Sequence, residues 1–97
     1  MIVTTTPDIA GKEIVEYKGI VFGEALSDEN KGQFKLTAQK MEHERIAVSA
    51  KNDALAKLTA HAKKIGANAI VGVSFEFDAV TARHLRISST GTAVVIK

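Results

Sequence analysis

The chain reads as an α+β protein in ββαββ order: a short N-terminal strand, a long bent strand, a long helix and two antiparallel strands. Three observations carry that reading. From about residue 38 to 65 there is neither Pro nor Gly, and alanine and lysine dominate, a composition that favours helix by propensity alone. Gly66 follows at once, a residue able to take the left-handed conformation that ends a helix. Runs rich in Val, Ile, Thr and Phe lie on both sides of this stretch, as strands require.

The elements follow in order. Ile2-Val3-Thr4-Thr5-Thr6 is β-branched and stops at Pro7, which also biases Thr6 to an extended conformation. Asp8 to Gly11 supplies turn chemistry. Glu13 to Ala25 alternates loosely and contains Gly19 and Gly23, each marking a bulge or a close backbone approach inside one bent strand. Ser27 to Gly32 is loop-like, with Phe34 and Leu36 anchoring the way into the helix. Along the helix a stripe runs Met41, Val48, Leu55, Leu58, Ala62, Ile65, at spacings of three, four or seven. Asn52-Asp53 is its weak point, where Ser49 or Asn52 could cap a second helix, so the segment is either continuous or split there. In the third strand Val71, Val73, Phe75 and Phe77 share one parity and form the expected core face. The last strand, about residues 83 to 96, places Leu85 and Ile87 opposite His84 and Arg86, then turns apolar on both parities beyond Gly91.

The second strand is also apolar on both parities, since Val15, Tyr17 and Val21 lie opposite Ile14, Ile20 and Phe22. One helix covers only one face of a sheet. The second apolar surface therefore needs a partner, and the expected partner is another copy of the chain, meeting it through Ile14, Ile20, Phe22, Val94 and Ile96.

With 97 residues the chain is one domain, 1–97, with a modest core: about 60–65% of its unfolded surface leaves water on folding. Its 45% hydrophobic and 25% charged residues are ordinary for a globular protein. No apolar run approaches the roughly 18 residues that span a bilayer, and Met1-Ile2-Val3-Thr4 lacks a basic signal-peptide start, so the expectation is a cytoplasmic protein without membrane contact. Zero cysteines remove disulfides, thiolate nucleophiles and thiolate metal ligands together. The net charge of +2 is uneven: residues 31–64 hold eight Lys/Arg against three acids. A basic face for phosphate or nucleic acid is one reading, and a solvated helix face is the plainer one. No aromatic residue lies between Phe34 and Phe75, so the base-stacking platform of a single-strand binder is missing there, which argues against nucleic acid.

The three histidines do not form a metal site. His43 sits in Glu42-His43-Glu44, adjacent residues that point to different sides of a helix. His61 stands among Lys57, Lys63 and Lys64, and His84 between Arg83 and Arg86, settings that disfavour a cation. There is no His-x-x-x-His spacing, no Gly-x-Ser-x-Gly elbow and no phosphate loop, so no metal ligand, cofactor or catalytic residue is assigned and an enzyme is the weaker expectation. The most reactive-looking set is Tyr17, Glu24, Thr90 and Thr92 with Thr4 to Thr6, above all Thr5. These can line a cleft between subunits that binds a small ligand, or serve as turn, pairing and interface residues, since threonine is a good strand former.

Thr4-Thr5-Thr6-Pro7, the Ile14 to Ala25 segment, and the Gly66 to Phe77 and Ser89 to Ile96 segments together resemble the YbjQ-like family. These are small bacterial proteins catalogued as heavy-metal-binding with no established activity. The resemblance covers nearly the whole chain, with the motifs in the family's order. It implies a two-layer subunit similar to dodecin subunits, one long helix, and a homopentameric ring, whose axis could gather five copies of one weak ligand. The chain departs from many members in two places: Gln39 to Glu44 replaces a Gly-Gly-Arg-Ser stretch, and Lys18 stands where some carry cysteine. The function expected first is thus a small-ligand or metal-ion binding ring with sites between subunits. A scaffold binding an acidic partner or nucleic acid through the basic helix comes second, and a hydrolase at the Tyr17/Glu24 cleft third.

Overall fold

The computed structural model describes residues 1–28, 36–81 and 84–97, with side chains at 1–26, 48–78 and 86–97. Its elements are β1 (Ile2–Val3), β2 (Ile14–Asp28), α1 (Leu36–Lys64), β3 (Ala69–Thr81) and β4 (His84–Ile96), the ββαββ order the sequence predicts. They build one sheet in the order β1-β3-β4-β2, with β1 parallel to β3 and the other pairings antiparallel. The helix covers one face. Ser27 and Asp28 extend β2 beyond the expected strand end, while residues 29–32 and Phe34 of the predicted loop lie outside the described residues.

α1 runs unbroken through Asn52 and Asp53 because both face solvent, where their poor helix propensity is offset by hydration. It ends as Gly66 predicts. The Gly66 N–H donates to the Lys63 carbonyl at 3.1 Å and the Ala67 N–H to the Ala62 carbonyl at 3.0 Å, with Gly66 at φ 86°. Those two bonds satisfy carbonyls the last turn would otherwise leave open.

The buried stripe of α1 differs from the expected one. Ala50, Ala54, Leu58 and Ala62 are buried, four residues apart, whereas Val48 and Ile65 are exposed and the Met41 side chain is outside the described residues. Small residues face the sheet because the backbones nearly touch. A Cβ on Gly23 would strike the Ala54 carbonyl oxygen and lie 2.6 Å from the Leu58 nitrogen. Beside that contact the buried Ser89 hydroxyl reaches the Ala54 carbonyl at 3.2 Å and the Gly23 carbonyl at 3.4 Å, bridging helix and sheet. Around it Val21, Ala25, Leu58, Ile70, Val73, Ile87 and Ala93 form the core of this layer.

Strand β3 corrects the simple alternation. Gly72, at φ 62°, sits in a register shift between Val71 and Ser74, so the side-chain parity resets. Ile70, Val73 and Phe75 therefore face the helix, while Val71 joins Ala69 and Val94 on the opposite face. In β2, shifts between Ile14 and Glu16 and between Tyr17 and Gly19 likewise bring Ile14 and Tyr17 to one face, opposite Ile96 and Val94.

The outer face is not left wholly bare. After β1 the chain stays bonded to β3, with the Thr4 N–H on the Ile70 carbonyl and the Gly72 N–H on the Thr6 carbonyl. It then crosses from the β3 margin of the sheet to the β2 margin, and Ile9 packs on the Ala69, Val71 and Val94 cluster with Ile14 and Ile96. The chain thus supplies part of the cover that the sequence reading assigned to a second copy.

Candidate functional site

The open part of the outer face is built by strand pairing, which puts opposed residues on the same side. Three columns run along it. On β2 stand Tyr17, Ile20, Phe22, Glu24 and Leu26; opposite them on β4 stand Val94, Thr92, Thr90, Ser88 and Arg86. Ser74, Glu76 and Asp78 of β3 complete the rows of Thr90, Ser88 and Arg86. The outer column is aromatic and aliphatic apart from Glu24, and the middle column carries hydroxyls at Thr92, Thr90 and Ser88.

Of the residues singled out from sequence, Tyr17, Glu24, Thr90 and Thr92 share this face. Thr90 Oγ1 lies 3.1 Å from Ser74 Oγ, which fixes one hydroxyl pair in the middle of the surface. Glu24 is exposed, and its backbone carbonyl accepts from Lys57 Nζ at 2.8 Å, tying β2 to α1. At the far end Arg86 Nη2 bonds Asp78 Oδ2 at 2.8 Å. The Arg86 pKa is raised, first by that hydrogen bond, then by the charge of Asp78 and that of Glu24, with burial opposing. Sequence reasoning missed the Arg86–Asp78 pair, although a β-hairpin register would have opposed the two.

Thr5 stands apart from the other four. With Val3, Leu55, Thr59, Val73 and Phe75 it lines a cleft of about 260 Å³ between α1 and the β1/β3 margin. The cleft is apolar with hydroxyls, and none of its lining residues carries a charge.

The five interface candidates also divide. Ile20 is 80% and Phe22 61% exposed, and Leu26, not anticipated, is 63% exposed. Val94 is fully buried, so it serves the chain's own core instead of an interface; Ile14 and Ile96 are half-buried around the same cluster. The physical reason is the crossing loop. Ile9, alone among polar turn residues, gave no periodic signal.

His61 is engaged with β2. Its Nδ1 accepts the Phe22 N–H at 3.4 Å, and the two rings meet edge to face with centroids 5.8 Å apart. It also borders an open, basic hollow of about 590 Å³ with Ala60, Lys63 and Lys64. Among the described residues no three His, Cys, Asp or Glu side chains converge on a possible metal position. The His43 and His84 side chains lie outside them. A soft heavy ion favours thiolate or imidazole, whereas the outer face offers phenol, hydroxyl and carboxylate oxygens. The described donors of one chain do not fit such an ion. No helix among the described residues is long and apolar enough to cross a membrane.

Comparison with known proteins agrees with this architecture. A UPF0145 protein of Actinobacillus pleuropneumoniae serotype 5b is 42% identical over 106 residues, covering 100% of both chains. A UPF0145 protein of Listeria welshimeri is 40% identical over 108 residues, covering 100% of this chain and 96% of its own. A solved structure from Pediococcus pentosaceus, a protein of unknown function in the DUF74 family, superposes with a TM-score of 0.72 at 20% identity, covering 100% of this chain and 98% of that one. That likeness concerns the fold alone. The YbjQ family model, described as "putative heavy-metal-binding", matches residues 1–97, so the chain belongs to the YbjQ-like family, alongside bacterial relatives named UPF0145 proteins.

Proposed function

We propose that the protein is a homo-oligomeric binding module, a ring of five as the family resemblance implies, that holds a small polar ligand or ion where copies meet. The observation that carries this reading is the apolar column on β2. Ile20, Phe22 and Leu26 stay largely in water although they stand on a strand whose other face is core. Burying that column against another copy removes it from solvent and brings Tyr17, Glu24, Thr90 and Thr92 to the edge of the contact. These four supply a phenol, a carboxylate and two hydroxyls, a set suited to a polar organic ligand or a hard ion. With the donors of the described residues alone, the family's metal description is met only if several copies pool oxygen ligands.

Native mass spectrometry of protein purified without added metal tests the assembly and any retained ligand together. A single oligomeric species is expected, with Phe22→Asp shifting it to monomer. A compact wild-type monomer at micromolar concentration overturns the reading. Chelator is expected to leave the melting temperature unchanged; a stoichiometric, chelator-sensitive ion that survives gel filtration would establish metal binding instead.

A further inference from the structure

The last turns of α1 carry positive charge that neither the core nor the outer face uses. Ala60, His61, Lys63 and Lys64 line the open hollow of about 590 Å³ there. Lys63 and Lys64 follow Ala60 by three and four positions, so their stems rise beside its methyl group, which keeps the floor of the hollow low. His61 stands between this hollow and β2. Because its Nδ1 accepts the Phe22 N–H at 3.4 Å, the neutral ring carries its proton on Nε2, a donor directed away from the strand. The polar side-chain groups among the described residues lining the hollow are thus one imidazole N–H and two ammonium groups, all donors. Neighbouring charges leave this set intact. Lys57, one turn before His61, is drawn to the Glu24 carbonyl, and Glu16 pairs with Lys18, whose stem lies against Gly66. Among the described residues neither Lys63 nor Lys64 has a carboxylate within salt-bridge distance. The helix end opposes an anion with about half a unit of negative charge. Gly66 and Ala67 already donate to the Lys63 and Ala62 carbonyls, however, and the two ammonium groups outweigh the remainder.

We propose that this hollow is an oxyanion site that takes a phosphoryl group, either free phosphate or the phosphate of a small phosphorylated molecule. A phosphoryl group presents several strong acceptor oxygens and more than one negative charge, which suits a donor-only set of one N–H and two ammonium groups. A single carboxylate, with two oxygens and one charge, would satisfy less of it. The site stands apart from Tyr17, Glu24, Thr90 and Thr92 and is complete within one chain, so it holds whatever the oligomeric state. Its lysines are exposed, so binding is modest and weakens as salt rises. The strand senses the occupant through His61: an anion on Nε2–H polarises the ring and strengthens Nδ1 as the acceptor of the Phe22 N–H.

Amide NMR titration at low ionic strength tests the site, with inorganic phosphate, adenosine monophosphate and adenosine as probes. Phosphate and adenosine monophosphate are expected to shift the amides of residues 60–66 and of Phe22 at millimolar concentration, and adenosine to shift none. Both results support the site, and their relative affinities say whether the free ion or the phosphate ester is preferred. Lys63→Gln combined with Lys64→Gln is expected to weaken binding at least tenfold. Lys12→Gln combined with Lys51→Gln removes the same charge elsewhere and is expected to leave binding unchanged. None of the four lysines is buried, so both variants keep the fold, which the unshifted amides of β3 and β4 verify. Nitrogen–proton correlation spectra of the imidazole are expected to show neutral His61 with its proton on Nε2. The proposal is overturned by an absence of shifts with phosphate, by equal losses in the two double variants, or by a neutral His61 that carries its proton on Nδ1.

Discussion

Gly23 sets the distance between α1 and the sheet, since any side chain there would run into the Ala54 and Leu58 backbone and not into a movable group. Gly23→Ala is expected to cost about 3 kcal/mol or more in urea unfolding, the upper end of overpacking. Gly72 offers the contrast. Nothing lies within 4 Å of its missing Cβ, so Gly72→Ala pays only for the left-handed backbone, about 1–2 kcal/mol. Ser89→Ala removes the hydroxyl that faces the Gly23 and Ala54 carbonyls, with an expected loss of about 1 kcal/mol in the same assay. Glu24→Gln, on an exposed side chain, is expected to change subunit stability by less than about 0.5 kcal/mol. Any larger change in its oligomer size or ligand retention then reports the contact between copies. Both strand glycines were readable in the sequence as a bulge or a close approach. Which was which was not: Gly19, at φ 126°, is the bulge, while Gly23 answers to Ala54, a residue thirty-one positions on in the chain.

The helix was legible in existence, direction and end, because Gly66 and the absence of helix breakers act locally. Its buried face was not. Alanine signals propensity without signalling side, so Ala50, Ala54 and Ala62 were indistinguishable from solvent alanines until the close approach at Gly23 was known. Leu58, fully buried among Val21, Ile70 and Val73, is the large anchor of this face. Leu58→Ala is expected to cost roughly 2–5 kcal/mol, the range for emptying a buried leucine site, whereas Val48→Ala on the exposed side stays within about 0.5 kcal/mol. Strand β3 failed in a similar way. Alternation counted from Val71 to Phe77 assumes an unbroken pleat, and Gly72 breaks it, which no pattern of apolar residues encodes.

For the molecule as a whole, a helix covering one face of the sheet and a surplus of apolar surface on β2 and β4 were both visible in the residues. The division of that surplus was not, because the stretch from Asp8 to Gly11, read as a turn, belongs to a segment that travels across the sheet and seats Ile9 over Ala69, Val71 and Val94. The chain thereby closes one end of the outer face itself and leaves Ile20, Phe22 and Leu26 open. Ile9→Asp is expected to lower the melting temperature, with the Val94 and Ile96 amides of β4 losing hydrogen-exchange protection before those of Ile87 and Ser89, which pack under α1.

The same crossing segment bears on the order of events when the chain is made. Ile2 and Val3 are made before every other element of the sheet, yet their hydrogen-bonding partners are Ala69 and Ile70, sixty-seven positions on. Closing so wide a loop is entropically unfavourable until the surface it closes on exists. The first-made strand therefore waits for β3, and a nascent chain arrested before Ala69 would hold β2 and α1 with its leading segment still unpaired.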